Sequence, residues 1–315
     1  MSRARDSRLW GYAAMLAIGV AAPFLVYPVF AMNVLVLALF ASAFNLLLGY
    51  TGLLSFGHAA FLGSAAYVTG WTVKAWGLPT ELGVLAGTAV ATLLGFVFGS
   101  LAIRRSGIYF AMITLGFAQM VYFLVVQLPW TGGEDGLQGI PRGKALGLVA
   151  LDHPLTMYYF VLASFLGGFF VVHRAIHSPF GHVLRAIREN EPRALSLGYD
   201  VARYKLVAFV LSAGLAGLAG SLKAVVLQFA SLSDVHWHRS GEVVLMTLLG
   251  GMGTVLGPSV GALLVVTLEN YLAGAGSWVT VITGAVFVVC VLAFRRGIVG
   301  EVHALVRRSF LGVKP

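Results

Sequence analysis

Eight histidines and twelve carboxylates are spread thinly through 315 residues, and few of them stand where chemistry could be done. His58 is the clearest candidate. It lies in GYTGLLSFGHAAFLGSAAY, Gly49 to Tyr67, between strongly apolar runs. An ionisable group in such a setting is a candidate for contact with a transported solute. A neutral imidazole beside Ser55 and Gly57 also serves to hydrogen-bond a neighbouring helix, and the sequence leaves both readings open. His236 and His238 are two residues apart, with Asp234 and Glu242 as the nearby acids and no nearby cysteine, which is a poor ligand set for a metal. There is no His-Glu-x-x-His or nucleophile-elbow pattern. The nearest approach to a phosphate-binding loop, Gly143-Lys144-Ala145, lacks the first glycine and the following Ser or Thr. Neither metal, cofactor nor bound ATP is therefore expected. A membrane enzyme is disfavoured by the missing catalytic constellation. A proton- or sodium-driven secondary carrier usually shows carboxylates at the membrane midplane, whereas Glu242 and Glu269 fall near predicted span ends.

The elements that hold these residues follow from composition. Hydrophobic residues make up 59% of the chain and charged ones 10%, with a mean hydropathy of +0.89. No ordinary water-soluble globule has such a balance. Apolar runs long enough to span a bilayer as helices are predicted at Leu9–Phe30, Asn33–Leu48, Gly57–Ala75, Leu82–Ile103, Ile108–Leu128, Leu155–Val172, Leu206–Phe229, Val243–Tyr271 and Ser277–Phe294. A membrane barrel would need short alternating strands, so the expected fold is all-α, a polytopic transmembrane helix bundle. The first run is basic at its start but too long for a cleaved signal core, and is read as an uncleaved helix. Cys290, the single cysteine, has no partner for an internal disulfide.

Charge orients the chain. With the amino terminus cytoplasmic, only Lys74, Arg142, Lys144, Lys223 and Arg239 of the 21 basic residues fall outside, as the positive-inside rule requires. The net charge of +9 thus reports topology, and nucleic acid need not be invoked. A single crossing over Val243–Tyr271 would put the basic tail, 295–315, on the wrong side. The interruption GGMGTVLGPSVGA, Gly250 to Ala262, resolves this as a broken or re-entrant segment near 242–262. Eight or ten crossings keep both termini cytoplasmic, and ten is the expectation.

Small residues recur every four positions at Ser55, Ala59 and Gly63, at Ala213, Gly217 and Ser221, and at Gly253, Gly257 and Gly261. In lipid, such faces let helix backbones approach closely. Gly49, Gly52 and Gly57 break the helix beside Thr51, Ser55 and His58, and a break at membrane depth is tolerated only where protein or a water-filled cavity covers the freed backbone. Breaks of this kind often form transport sites.

The longest predicted cytoplasmic loop reads SPFGHVLRAIRENEPRALSLGYDVARYK, Ser178 to Lys205. Gly181, Pro192 and Gly198 punctuate it into short amphipathic helices, with Val183, Leu184 and Ile187 on the apolar side and Arg185, Arg188 and Glu189 exposed. It is either a docking surface for a soluble protein or a loop facing anionic membrane lipid.

NLLLGYTGLLSFGHAAFLGSAAY, the stretch SPFGHVLRAIRENEPRALSLGYDVARYKLVAFVLSAGLAGLAGSL, and GGMGTVLGPSVGA together resemble the inner-membrane permeases of bacterial branched-chain amino acid ABC importers, specifically the longer of the two paralogous permeases. The resemblance covers about Asn33 to Phe294. It implies one transmembrane permease domain over 1–315, acting with a second permease subunit, two cytoplasmic ATPase subunits and a periplasmic solute-binding protein. On the same basis Arg188, Glu189 and Gly198 fall in the ATPase coupling loop, 178–205. His182 and Pro192 depart from the residues expected there. An alternating-access mechanism follows, with Asn45, Ser55, His58 and Gln119 as candidates for lining the path. Relatives of this family also import urea, short amides and aromatic acids, so the solute stays open.

Overall fold

The computed structural model describes residues 16–145, 149–276, 278–293 and 297–301. The basic amino-terminal residues Arg3, Arg5 and Arg8 lie outside the described residues, as does most of the 295–315 tail. The described chain is helical almost throughout. Its helices are α1 (Leu16–Leu25), α2 (Pro28–Thr51), α3 (His58–Ala75), α4 (Thr80–Ala102), α5 (Gly107–Gln127) and α6 (Pro154–Ile176). They continue as α7 (Pro179–Glu189), α8 (Glu191–Ser196), α9 (Val201–Leu227), α10 (Leu232–Val235), α11 (Trp237–Gly250), α12 (Gly257–Leu272) and α13 (Trp278–Ala293). Among the described residues five helices, α2, α4, α5, α6 and α9, are long and apolar enough to cross a membrane. The 24 residues of α2 extend about 36 Å, more than the hydrocarbon thickness.

The boundaries follow local chemistry. The second predicted span starts earlier than expected, at Pro28, because proline lacks the N–H that a first helical turn cannot use and forces Tyr27 out of the helical region (ψ 126°). The predicted Val243–Tyr271 span divides into α11 and α12 around residues 251–256. The two halves run back along each other: a methyl added at Gly261 would overlap the Met246 carbonyl, and one at Gly250 the Gly257 carbonyl. The structure therefore realises the broken segment as an antiparallel hairpin, although neither half has the length of a full span.

α2, α3 and α9 form the buried centre, while α4 and α5 turn Leu85, Leu93, Ile108, Met112 and Phe123 outward. The contact between α4 and α9 uses the expected face of α9. Ala213 lies over Gly95, Gly217 over Ala91, and Ser221 over Gly87. Its counterpart on α4, Gly83, Gly87, Ala91, Gly95 and Gly99, has the same four-residue period, a signal legible in the sequence that the reading above does not use.

Two other four-residue series do not form single helix faces. Ser55 precedes α3, which begins at His58, so only Ala59 and Gly63 share that helix, with Gly63 pressed against Val235 of α10. Gly253 lies in the turn with φ +77°, while Gly257 and Gly261 belong to α12. In both cases the first member of the series lies in the non-helical segment that precedes the helix carrying the other two.

The described residues between α5 and α6, 128–145 and 149–153, close the end of the bundle opposite α7 and α8. β1 (Leu137–Gln138) pairs antiparallel with β4 (Phe229–Ala230), and β2 (Lys144–Ala145) with β3 (Val149–Ala150). Lys74 donates to the Gln138 carbonyl (2.6 Å) and Arg142 to that of Val226 (2.9 Å), tying this cover to α3 and α9.

Candidate transport path and coupling elements

After α2 the chain turns at Gly52 (φ +75°) and runs non-helically to Gly57. Six residues at about 3.3 Å each carry it back into the bundle before α3 starts. His58 consequently meets Ser212 near the middle of α9, and Gly57 packs on Thr114 within α5. Three backbone donors at the break have a hydroxyl to receive them. Phe56 N–H donates to Thr114 Oγ1 (3.1 Å), Gly57 N–H to Ser55 Oγ (3.1 Å), and Ala59 N–H to Ser240 Oγ of α11 (2.9 Å). The polarity of this stretch thus supplies partners that lipid cannot.

His58 is enclosed. Phe44 lies edge-on at 4.9 Å between ring centroids, with Phe61, Phe209 and Phe40 completing the cage. Ser212 Oγ donates its only hydrogen to the Ala43 carbonyl (2.6 Å). Its contact with His58 Nε2 (2.8 Å) must then be one in which the ring N–H donates, which leaves Nδ1 unprotonated in a neutral ring. His58 thereby joins α3, α9 and α2. Asn45, Ser55 and His58 are all buried. Gln119, half-buried on α5, makes no hydrogen bond to them among the described residues.

At the α7–α8 end, Asn45 of α2 grips the hairpin tip with both ends of its amide. Nδ2 donates to the Thr254 carbonyl (2.8 Å), and Oδ1 accepts from Gly253 N–H (2.9 Å). Arg188 of α7 donates to the Gly49 carbonyl. Arg185 is half-buried, not exposed as expected, because it donates to the Ile176 carbonyl at the end of α6 (3.1 Å). Gly181 does not interrupt the loop helix. It lies inside α7, where an added methyl would overlap the Ile176 carbonyl.

Leu184 and Ile187 are buried as the amphipathic pattern requires, and Ile187 packs with Ala194 and Val201. Pro192 falls in the first turn of α8, where its missing N–H costs nothing, and Asn190 caps that helix through Arg193 N–H (3.0 Å). Gly198 has φ +85° and follows α8 in a left-handed turn. The surface left open carries Glu189 and Arg193 beside exposed Leu195, Leu197 and Tyr199.

The opposite end holds an ion cluster that the sequence reading does not assemble. Lys223 of α9 pairs with Asp234 of α10, and Arg239 of α11 lies 3.6 Å from the same carboxylate while bonding Glu242. Asp234, 1% exposed, also takes part in a capping box with Ser231 at the start of α10. A cavity of about 350 Å3 opens beside the cluster, lined in part by Tyr122, Ser233, His236, Arg239 and Glu242. His236 and His238 approach with their Nδ1 atoms 2.9 Å apart, so one donates and the other accepts. Burial first, and then the neighbouring His238, lower the pKa of His236 below the usual imidazole range. Among the described residues no group of three or more potential ligands could hold a metal ion.

Broken helices covered by protein inside an all-α polytopic bundle are a feature of membrane transport proteins. The family model described as branched-chain amino acid transport system, permease component, matches residues 29–291, and the chain belongs to this family. It is 28% identical over 306 residues to the high-affinity branched-chain amino acid transport system permease protein LivM of Salmonella typhimurium, covering 89% of this chain and 72% of that protein. It is 31% identical to the autoinducer 2 import system permease protein LsrC of Klebsiella pneumoniae, covering 58% of this chain and 53% of LsrC. The ribose import permease protein RbsC of Bacillus subtilis is 29% identical, with 57% of this chain and 58% of RbsC covered. No solved structure matches the chain. The protein is thus a multi-pass permease component of the inner membrane.

Proposed function

We propose that this chain forms, with a second permease subunit, the pathway for branched-chain amino acids in an importer powered by two separate ATPase subunits and supplied by a periplasmic solute-binding protein. The observation that carries the reading is the α7–α8 surface. Its apolar side is spent on the bundle, yet Leu195, Leu197 and Tyr199 still face outward beside Glu189 and Arg193. Exposed apolar groups mixed with both signs of charge suit a protein groove, whereas a loop made for anionic headgroups would be basic. On this reading α7 and α8 are cytoplasmic, and the positive-inside count assigns both termini to the same side. Gly143-Lys144-Ala145 lies at the other end, where Lys144 and Ala145 belong to a β-pair and open no helix that could cradle a phosphate.

ATPase co-purification tests the docking surface. Glu189→Lys reverses a charge where juxtaposed like charges cost several kcal/mol, and is expected to lower ATPase association and solute-stimulated hydrolysis together without affecting membrane insertion. Full association in that variant would refute docking at this surface. The similarity to ribose and autoinducer permeases supports a second reading in which the solute is a small polar molecule. Uptake of a labelled panel of amino acids, ribose, urea and short amides by vesicles carrying the whole complex separates the two.

A further inference from the structure

We propose that Arg188 and Asn45 form a clasp that passes movement of the α7–α8 surface to the tip of the α11–α12 hairpin. On this view Arg188 acts inside its own chain while Glu189 meets the partner. The inference rests on the reading of α7–α8 as the seat of the ATPase.

α7 is held to the bundle as a rigid piece, with Leu184 fully buried and Arg185 bonded to the end of α6. Any push on it must be relayed by the side chains that leave it for other elements. Arg188 is such a side chain. Its guanidinium donates to the Gly49 carbonyl, one of the last four carbonyls of α2, which have no partner within the helix. A cation at this end of a helix also meets the negative pole of its dipole. The Arg188 stem lies over Gly52, where an added methyl would stand 3.1 Å from Cγ, and Gly52 opens the non-helical stretch leading to His58.

The hairpin tip meets the same group. A methyl added at Gly253 would be 3.3 Å from both Arg188 Nη1 and the Gly49 carbonyl oxygen. Asn45, one turn before Gly49, then fixes the tip through the two amide bonds to Gly253 and Thr254. Gly251 and Gly253 have φ of +122° and +77°, and a methyl at Gly297 would overlap Gly251, so the segment after α13 joins the same junction. One arginine therefore touches both breaks in the helical bundle, and one asparagine prevents the tip from leaving α2 without losing two hydrogen bonds. That is a contiguous physical link between the two sites, of the kind that coupling requires.

The test uses Arg188→Met, which keeps the stem over Gly52 and removes the guanidinium, and Asn45→Leu, which keeps the volume and removes both bonds. In the full-length chain, amide exchange across residues 251–256 should accelerate by about tenfold in each variant, the scale of one lost hydrogen bond to a charged or buried group. This measurement needs no partner subunit. In the assembled complex in vesicles, ATPase subunits should co-purify at the wild-type level, while the amount of solute imported per ATP hydrolysed falls by about tenfold.

The double variant should be no worse than the more severe single one, because both residues serve one link. Arg188→Lys, which retains a donor for the Gly49 carbonyl, should recover part of the coupling. Loss of ATPase association in Arg188→Met would overturn the clasp and place Arg188 at the partner surface. Unchanged exchange at 251–256, or effects that multiply in the double variant, would also overturn it. Failure of the docking reading shows separately, as undiminished association in Glu189→Lys.

Discussion

The α11–α12 hairpin is held at its two ends by opposite kinds of chemistry. At the tip, Asn45 and Arg188 bond backbone groups, no carboxylate among the described residues takes part in these bonds, and glycines let the chains approach. At the other end, Lys223, Asp234, Arg239 and Glu242 neutralise one another beside a cavity. An ion cluster removed from water is costly to disturb, because removing one partner leaves the others charged and uncompensated. A contact between side-chain amide and backbone releases and re-forms at the cost of about one ordinary hydrogen bond. The difference suggests a fixed anchor at the cavity end and a movable grip at the α7–α8 end.

The largest expected effect breaks the anchor. Asp234→Asn leaves Lys223 and Arg239 without their shared carboxylate and should destabilise the protein by about 3–5 kcal/mol, measured as a lowered thermal midpoint in detergent and a reduced membrane yield. Replacing Lys223 and Asp234 together by Met and Leu should restore most of that loss. If the double replacement were as damaging as Asp234→Asn, the cluster would be doing more than neutralising itself.

A smaller effect is expected at the tip. Gly253→Ala forces a side chain into the left-handed region, at about 1–2 kcal/mol, and crowds Arg188 and Gly49. Gly261→Ala, which meets the Met246 carbonyl inside the hairpin, provides the contrast. The Gly253 change should reduce transport with the smaller loss of thermal stability, and the Gly261 change should lower stability more. Equal losses of stability would remove the distinction between grip and hairpin.

The smallest effect concerns pH at the cavity end. With its pKa depressed by burial and by His238, His236 favours folding in its neutral form. Its contribution is complete above the unfolded value of about 6.5 and is lost as pH falls through the lower folded value, because the unfolded chain then binds more protons. His236→Gln should flatten the thermal midpoint between about pH 5 and 7. A profile unchanged from wild type would assign that dependence to another group.

Much of the site can be seen in the linear chain. Gly49, Gly52 and Gly57 announce the break before α3, and the glycine-proline run announces the hairpin, because a helix at membrane depth cannot lose its backbone bonds without cover. The amphipathic loop shows its buried leucine and isoleucine. The bonds of Arg185 and Arg188 to carbonyls of other helices do not show there, since a basic residue on a loop helix looks the same whether its head meets water alone or also a helix end. The Lys223–Asp234–Arg239–Glu242 cluster is equally hidden, its members being divided among α9, α10 and α11.

Transfer free energy belongs to each residue and its near neighbours, so the apolar runs alone establish a membrane-spanning helical bundle, its approximate spans and the places where helices must break. Hydrogen-bond partners belong to the whole fold. That Ser240 receives Ala59, that Ser212 determines the tautomer of His58, and that Asn45 holds a tip more than two hundred residues away depend on three-dimensional proximity. A polar group buried in lipid must find some partner, but only the packing of helices distant in the chain selects which one.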